Sequence, residues 1–227
     1  MTEKIRVAIL DDHQSIIDGY LYRLSLTPEI EVVATGHYGE ELDTMFAENP
    51  VDVLLLDVNV PTSPDNANPY PILHIIPQLL QTHPKLNVLV ISMHNQRTLI
   101  KAVLETGASG YIFKDDQMII KDLGAAVRSV AQGGICISRP INEMLLKGFE
   151  QDLGLTPRQS EILSLLTAYP DLTTAEAAVK LNITHSTARS LLSDAYLRLG
   201  VRNRSAAIAK ARRLGLVTPT LPFVESD

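Results

Sequence analysis

One cysteine, Cys136, stands in the 227 residues, so the chain can form no internal disulfide and no metal site built on several thiolates. That excludes a stapled secreted scaffold and points to a reducing cytoplasm. Long apolar runs are also missing: nothing approaches the roughly 18 residues of a membrane span. Met1 to Leu10 carries only a short apolar run before two aspartates, too little for a signal peptide's apolar region. What is present is 45% hydrophobic and 20% charged, which excludes disorder as the main state. The length suits two small domains, each able to bury a core.

The net charge of −6 conceals two unlike halves. Residues 1–138 hold 9 Lys/Arg against 17 Asp/Glu, a net of −8, whereas residues 153–216 hold 9 against 4, a net of +5. Such asymmetry suggests one module that handles cations or phosphate and another that can approach a polyanion. The first half alternates strand-length apolar runs with amphipathic stretches. Ile5–Leu10, Glu31–Thr35, Val51–Asp57, Asn87–Ser92 and Gly110–Phe113 are predicted strands. Predicted helices fall near Ser15–Leu26, Gly39–Ala47, Ile72–Thr82, Gln96–Thr106 and Gln117–Gln132. Val53–Leu56 and Val88–Ile91 are apolar without alternation, as in parallel strands covered on both faces. The reading is a doubly wound α/β domain with a five-stranded parallel sheet.

In such a sheet, ligands sit at the carboxyl ends of the strands. Those ends carry Asp11 and Asp12, Asp57, Ser92 and Lys114. Three clustered carboxylates repel one another and imply a cation, and an all-oxygen donor set favours Mg²⁺ over Zn²⁺. A carboxylate beside that ion can attack a phosphoryl donor, while Lys114 and Ser92 suit the transferred oxygens. Any one of these residues alone reads as a turn, cap or surface group. A phosphatase of the haloacid dehalogenase type uses similar groups but wants Asp-x-Asp after the first strand, and the second position after Asp11 is His13.

AILDDH, LLLDVNVP, VLVISMH and GYIFKDD, between Lys4 and about Gln132, resemble the four signatures of a bacterial response-regulator receiver domain, a flavodoxin-like fold. The resemblance implies Asp57 as phosphoacceptor and a Mg²⁺ site made by Asp12 and Asp57, with Asp11 assisting and the Asn59 backbone carbonyl as a further ligand. It makes Ser92 the switch hydroxyl and Tyr111 the switch aromatic, with Asn59 and His94 at places that influence phosphate lifetime. Read alone, Tyr111 is a core aromatic and His94 a solvated loop histidine. One stretch departs from the pattern: after Pro61, TSPDNANPYP inserts several residues with no Gly, beside Asp57.

Residues 133–154 read as a linker with a helix around Ile141–Phe149, after which no strand pattern returns. Thr156-Pro157-Arg158-Gln159 has the capping-box arrangement, Thr173 with Glu176 repeats it, and Thr184 and Asn203 are predicted caps. On a helix beginning after Thr184, Ala188, Leu191, Leu192, Ala195 and Leu199 gather on one side, with Ser186, Arg189, Ser190, Ser193 and Leu197 on the other. With the preceding helix, about Thr174–Leu181, this makes a helix-turn-helix whose His185, Ser186, Thr187, Arg189, Ser190 and Ser193 could reach a DNA groove.

LTPRQSEIL and LNITHSTARSLLSDAYLRLGVRNRSAAIAKA resemble the four-helix DNA-binding domain of LuxR-type regulators. Receiver plus this domain is the layout of the NarL/FixJ family of response regulators. The resemblance implies a receiver over 1–132 and a helix-turn-helix domain over 155–217; between them 133–154 is the linker, and 218–227, with two Pro and a final acidic pair, reads as a mobile tail. It further implies a cytoplasmic transcription regulator rather than an enzyme, though one that catalyses its own phosphoryl uptake and loss. A sensor histidine kinase would phosphorylate it, and it would bind double-stranded DNA as a homodimer, with Arg204–Arg213 at the dimer contact. The insertion after Pro61 motivates an alternative: a receiver that acts without phosphorylation, as a dimerisation or effector-binding domain.

Overall fold

A computed structural model describes residues 4–146 and 155–218. The first half runs β1 (Ile5–Leu10), α1 (Gln14–Ser25), β2 (Ile30–Gly36), α2 (Glu41–Glu48), β3 (Val53–Leu56), β4 (Pro61–Ser63), β5 (Asn66–Pro69), α3 (Ile72–Thr82), β6 (Asn87–Ser92), α4 (Arg97–Glu105), β7 (Gly110–Phe113), α5 (Gln117–Lys121), α6 (Leu123–Ala131), β8 (Cys136–Ile137) and α7 (Arg139–Leu146). The main sheet is parallel, in the order β2-β1-β3-β6-β7-β8. Strand period two explains the unalternating runs: Leu54, Leu56, Val88 and Val90 enter one core, Val53, Leu55, Leu89 and Ile91 the other.

Three features go beyond the sequence reading. The sheet has a sixth strand, because Cys136 donates its N–H to the Ser109 carbonyl at 3.0 Å and Ser138 to that of Tyr111 at 3.1 Å. The helix expected over Gln117–Gln132 is broken at Asp122, whose φ of −113° and ψ of 46° leave the helical region. The insertion after Pro61 is an antiparallel hairpin, β4–β5, pairing Ser63 with Asn66 and Pro61 with Pro69. Its base is held by Gly39 N–H to the Pro61 carbonyl (2.8 Å) and Glu40 N–H to that of Thr62 (3.0 Å). Only glycine fits at position 39, since a Cβ there would lie 2.0 Å from the Tyr70 ring.

The linker helix begins at Arg139, earlier than expected, and Phe149 falls outside the described residues. Its Ile141 is buried in the same core cluster as Tyr111, and Arg97 donates to the Leu145 carbonyl at 3.3 Å. Part of the linker is thereby built into the sheet half.

The second half is helical: α8 (Pro157–Ala168), α9 (Thr174–Lys180), α10 (His185–Leu199) and α11 (Arg204–Arg213). All four expected caps form: Thr156 and Thr173 make full capping boxes, and Thr184 and Asn203 accept from Thr187 N–H and Ala206 N–H. Alanines at 177, 178, 188, 195, 207 and 211 let the helices approach closely around Ile162, Leu166, Leu192 and Leu199. Arg204, at the start of α11, turns inward and donates to the carbonyls of Leu172 at 2.6 Å and Pro170 at 2.7 Å. It thus ties α11 to the chain leaving α8, whose terminal carbonyls lack helical partners.

The two halves meet through α8, which packs on α3 and α4, and through the end of α11. There Thr98 Oγ1 donates to the Leu214 carbonyl at 2.5 Å, and Gly215, at φ +65°, lies so close to Gln96 that a Cβ would be 2.6 Å from its Cβ.

Candidate functional site

The carboxyl ends of β1, β3, β6 and β7 converge as the topology requires: β1 lies between β2 and β3, which is where the strand order reverses. Asp57 follows β3, its N–H donating to the Leu10 carbonyl at 2.9 Å, and Asp11 donates its N–H to Gly36. These ladder bonds hold both backbones, so the acids cannot spread apart. Lys114, beyond β7, donates from Nζ to Asp11 Oδ2 at 2.7 Å and Asp57 Oδ2 at 2.9 Å. Its backbone N–H is bound to the Ser92 carbonyl at 2.9 Å.

Charge in this pocket is out of balance. Burial pushes the Asp57 carboxyl up to about 6, Lys114 opposing this and Asp11 and Asp12 adding to it. Burial also works against the charge of Lys114, but Asp57 and Asp11 outweigh it and hold Lys114 above its ordinary value. Asp11, Asp12 and His13 bring ligand atoms within 4.8 Å of one another. The half-buried Asn59 has an Oδ1 without a hydrogen-bond partner. An oxygen-rich pocket whose buried carboxyl still resists ionisation beside Lys114 fits a further, divalent cation.

His13 is the residue that sequence reasoning passed over. Its N–H donates to Asp11 Oδ1 at 3.1 Å and its Nδ1 lies 2.7 Å from Asp12 Oδ1, so it orients both acids. Adjacency to the acid pair was the available signal.

Ser92 and Tyr111 are both fully buried. Ser92 Oγ accepts from His94 N–H at 3.2 Å, and the Tyr111 hydroxyl donates to the His94 carbonyl at 2.8 Å. Burial, with the Ser92 contact opposing it, raises the Tyr111 phenol far above its ordinary value. His94 is half-buried rather than solvated, because both its backbone groups are drawn inward; burial and Lys114 lower its pKa. Phe113 N–H donates to Ser138 Oγ at 3.1 Å, so β7 is tied to the linker on its other side.

At the other end of the molecule, α9 ends at Lys180, the chain turns at Asn182, whose φ of 51° is left-handed, and α10 starts from its Thr184 cap two residues later. That turn sets α10 across α9. His185, Ser186, Thr187, Arg189, Ser190 and Ser193 are all exposed, while Ala188, Leu192, Ala195 and Leu199 are buried. The Thr187 hydroxyl lies 2.8 Å from Thr184 Oγ1, so it is partly committed to the cap. Small polar side chains around one guanidinium leave a face narrow enough for a major groove.

Known protein families match both parts of the chain. The family described as response regulator receiver domain matches residues 7–127, and that described as sigma-70, region 4, matches residues 153–199. The chain is similar to "Transcriptional regulatory protein DegU" of Brevibacillus brevis, 31% identical over 94% of this chain and 95% of the relative. It is 30% identical to "Transcriptional regulatory protein LnrK" of Bacillus subtilis, over 93% and 98%. Among solved structures it resembles RcsB of Salmonella enterica serovar Typhimurium bound to a promoter in the presence of phosphomimetic BeF3-, with 25% identity, a TM-score of 0.59, and 92% and 98% coverage. The chain belongs to the NarL/FixJ family of response regulators, transcription regulators that join a receiver domain to a LuxR-type helix-turn-helix DNA-binding domain.

Proposed function

We propose that this regulator is switched by phosphorylation of Asp57. The observation that carries the reading is the Lys114 ammonium bridging Asp11 and Asp57 in a buried pocket that still lacks positive charge. A phosphohistidine on a sensor histidine kinase is the donor: an Asp57 carboxylate oxygen forms the new P–O bond as the P–N bond breaks and the imidazole leaves. Asp11, Asp12, Asp57 and the Asn59 carbonyl would hold Mg²⁺, which when bound offsets charge on the transferred oxygens. Lys114 holds a second side of the phosphoryl group, and the Ser92 hydroxyl turns from the His94 N–H to meet it. Tyr111 follows, since its hydroxyl and Ser92 both bind His94. Phosphoryl uptake from a small donor and hydrolytic loss are activities of this same pocket.

The output is a DNA-bound homodimer in the cytoplasm. The receiver spans 1–132 and the helix-turn-helix domain 155–217, with 133–154 between them; the tail at 218–227 lies almost wholly outside the described residues. Arg189 reads a guanine edge or a phosphate, and His185, Ser186, Thr187, Ser190 and Ser193 make shorter contacts. The β4–β5 hairpin beside Asp57 favours one second reading, a receiver that acts as a dimerisation or effector-binding domain without phosphorylation. Intact mass after incubation with acetyl phosphate and Mg²⁺ separates the two. One phosphoryl adduct on the native chain and none on Asp57→Asn is expected; no adduct on either folded protein would favour the second reading.

A further inference from the structure

The hairpin departs from what the receiver signatures imply, and it does not stand free. Asn66 donates from Nδ2 to the carbonyl of Ala168 at 3.0 Å. Ala168 is the last residue of α8, so that carbonyl has no partner within its own helix. The Asn66 carboxamide is set for this bond, because its Oδ1 accepts both Asn68 N–H (3.1 Å) and Asn68 Nδ2 (2.8 Å). Thr62, fully buried, closes the hairpin by donating to the Asn68 carbonyl at 2.8 Å.

In the first turn of the helix that follows, His74 Nδ1 lies 2.9 Å from Glu161 Oε1, with both residues buried. Arg158 holds the other carboxylate oxygen at 2.7 Å. Burial alone would push Glu161 up, yet these two partners hold it below its ordinary value. Around this pair, every residue from Gln159 to Ala168 is buried. Five of them are polar: Gln159 serves the Thr156 capping box, and Ser160, Glu161, Ser164 and Thr167 lie at helical spacing, the face that would meet water if the helical domain stood alone. The receiver covers a polar face, and polar interdomain contacts suit reversible motion. The DNA-facing side of α10 stays exposed in this arrangement, so the contact does not work by hiding it.

We propose that the β4–β5 hairpin and α3 form an output route from the phosphoacceptor loop to the helical domain, gripping α8 through Asn66 and the His74–Glu161 pair. The hairpin begins four residues after Asp57 in one continuous segment, so a rearrangement there reaches Ala168 with no intervening element. This rests on phosphorylation of Asp57 as proposed above.

The native chain holds no tryptophan, so Tyr169→Trp, next to Ala168, gives a single emission reporter at the joint. The full chain carrying it is treated with acetyl phosphate and Mg²⁺, and emission and intact mass are read on the same sample. The expected result is an emission shift with the adduct, and loss of that shift in Asn66→Ala or Glu161→Gln, each taking up the same adduct. Asn66 is only half-buried, so Asn66→Ala leaves the apolar core intact. An adduct without a shift, or a shift kept in both variants, overturns the route while leaving phosphorylation standing. Absence of the adduct overturns both.

Discussion

The acidic pocket and the DNA-facing helix solve opposite problems. The pocket collects residues from Asp11 to Lys114 off four strand ends, and each backbone is held by ladder bonds to neighbouring strands. Helix α10 presents its groups from His185 to Ser193 in one uninterrupted stretch, on an exposed face whose side chains bond only locally, Ser186 and Thr187 to the Thr184 cap. In the pocket the chemistry depends on each group's place relative to buried charge, so one change should remove it outright. On the helix the groups act nearly independently, and changes should be graded.

The sharpest way to break this contrast is at Lys114. Lys114→Ala leaves Asp11 and Asp57 facing each other without their bridging ammonium, and removing one preorganised donor of this kind costs on the order of 10²–10³-fold in rate. A time course of adduct mass with acetyl phosphate should show such a fall, while DNA affinity of the unphosphorylated protein stays put. A fall of only a few-fold would mean that Lys114 is merely structural.

Arg189→Ala tests the helix side. Loss of one base-edge or phosphate contact should weaken DNA binding by about 1–3 kcal/mol, read by fluorescence anisotropy, with uptake of the phosphoryl group unchanged. Smaller again is the effect of a cap. Thr184→Ala removes the acceptor for Thr187 N–H and should lower stability by about 1 kcal/mol in thermal unfolding.

The smallest effect lies far from both sites. Asp52 bonds Arg6 at 2.9 and 2.6 Å, and the hydrogen bond from Arg6 holds its carboxyl below the ordinary 3.8. A carboxyl lowered by folding stabilises the protein above that value and loses the contribution as pH falls through the folded pKa. Because the pair is partly exposed, Arg6→Gln should cost less than about 1 kcal/mol near neutral pH, and its difference from the native protein should vanish in acid.

Much of the strand and helix order could be read from the chain because it rests on local signals. Val53–Leu56 and Val88–Ile91 lack alternation because both faces are buried, and the four helix caps use side chains within three residues of the N–H they satisfy. The acids could be read for the same reason: each follows directly on a strand. What escaped was set at long range. The β4–β5 hairpin has no apolar alternation to announce it, and its Asn66 partner lies 102 residues away. Strand β8 is two residues long and exists only because β7 offers it an edge. Arg204 looked like a surface charge until α11 docked against the carbonyls leaving α8. The burial of α8 on every side cannot be inferred from its own sequence, since Ser160, Ser164 and Thr167 are the residues a water-facing side would carry.

If the pocket controls the helix, filling the pocket with a phosphate mimic must change DNA affinity. DNA ligands selected from a random duplex pool with beryllofluoride-treated protein would be titrated against the native chain with and without beryllofluoride and Mg²⁺, at fixed salt. The mimic is expected to tighten binding about tenfold or more, within the ordinary range of coupling free energies, with no change in Asp57→Asn. Equal affinity with and without the mimic, in native protein that forms the phosphoryl adduct, would contradict that control.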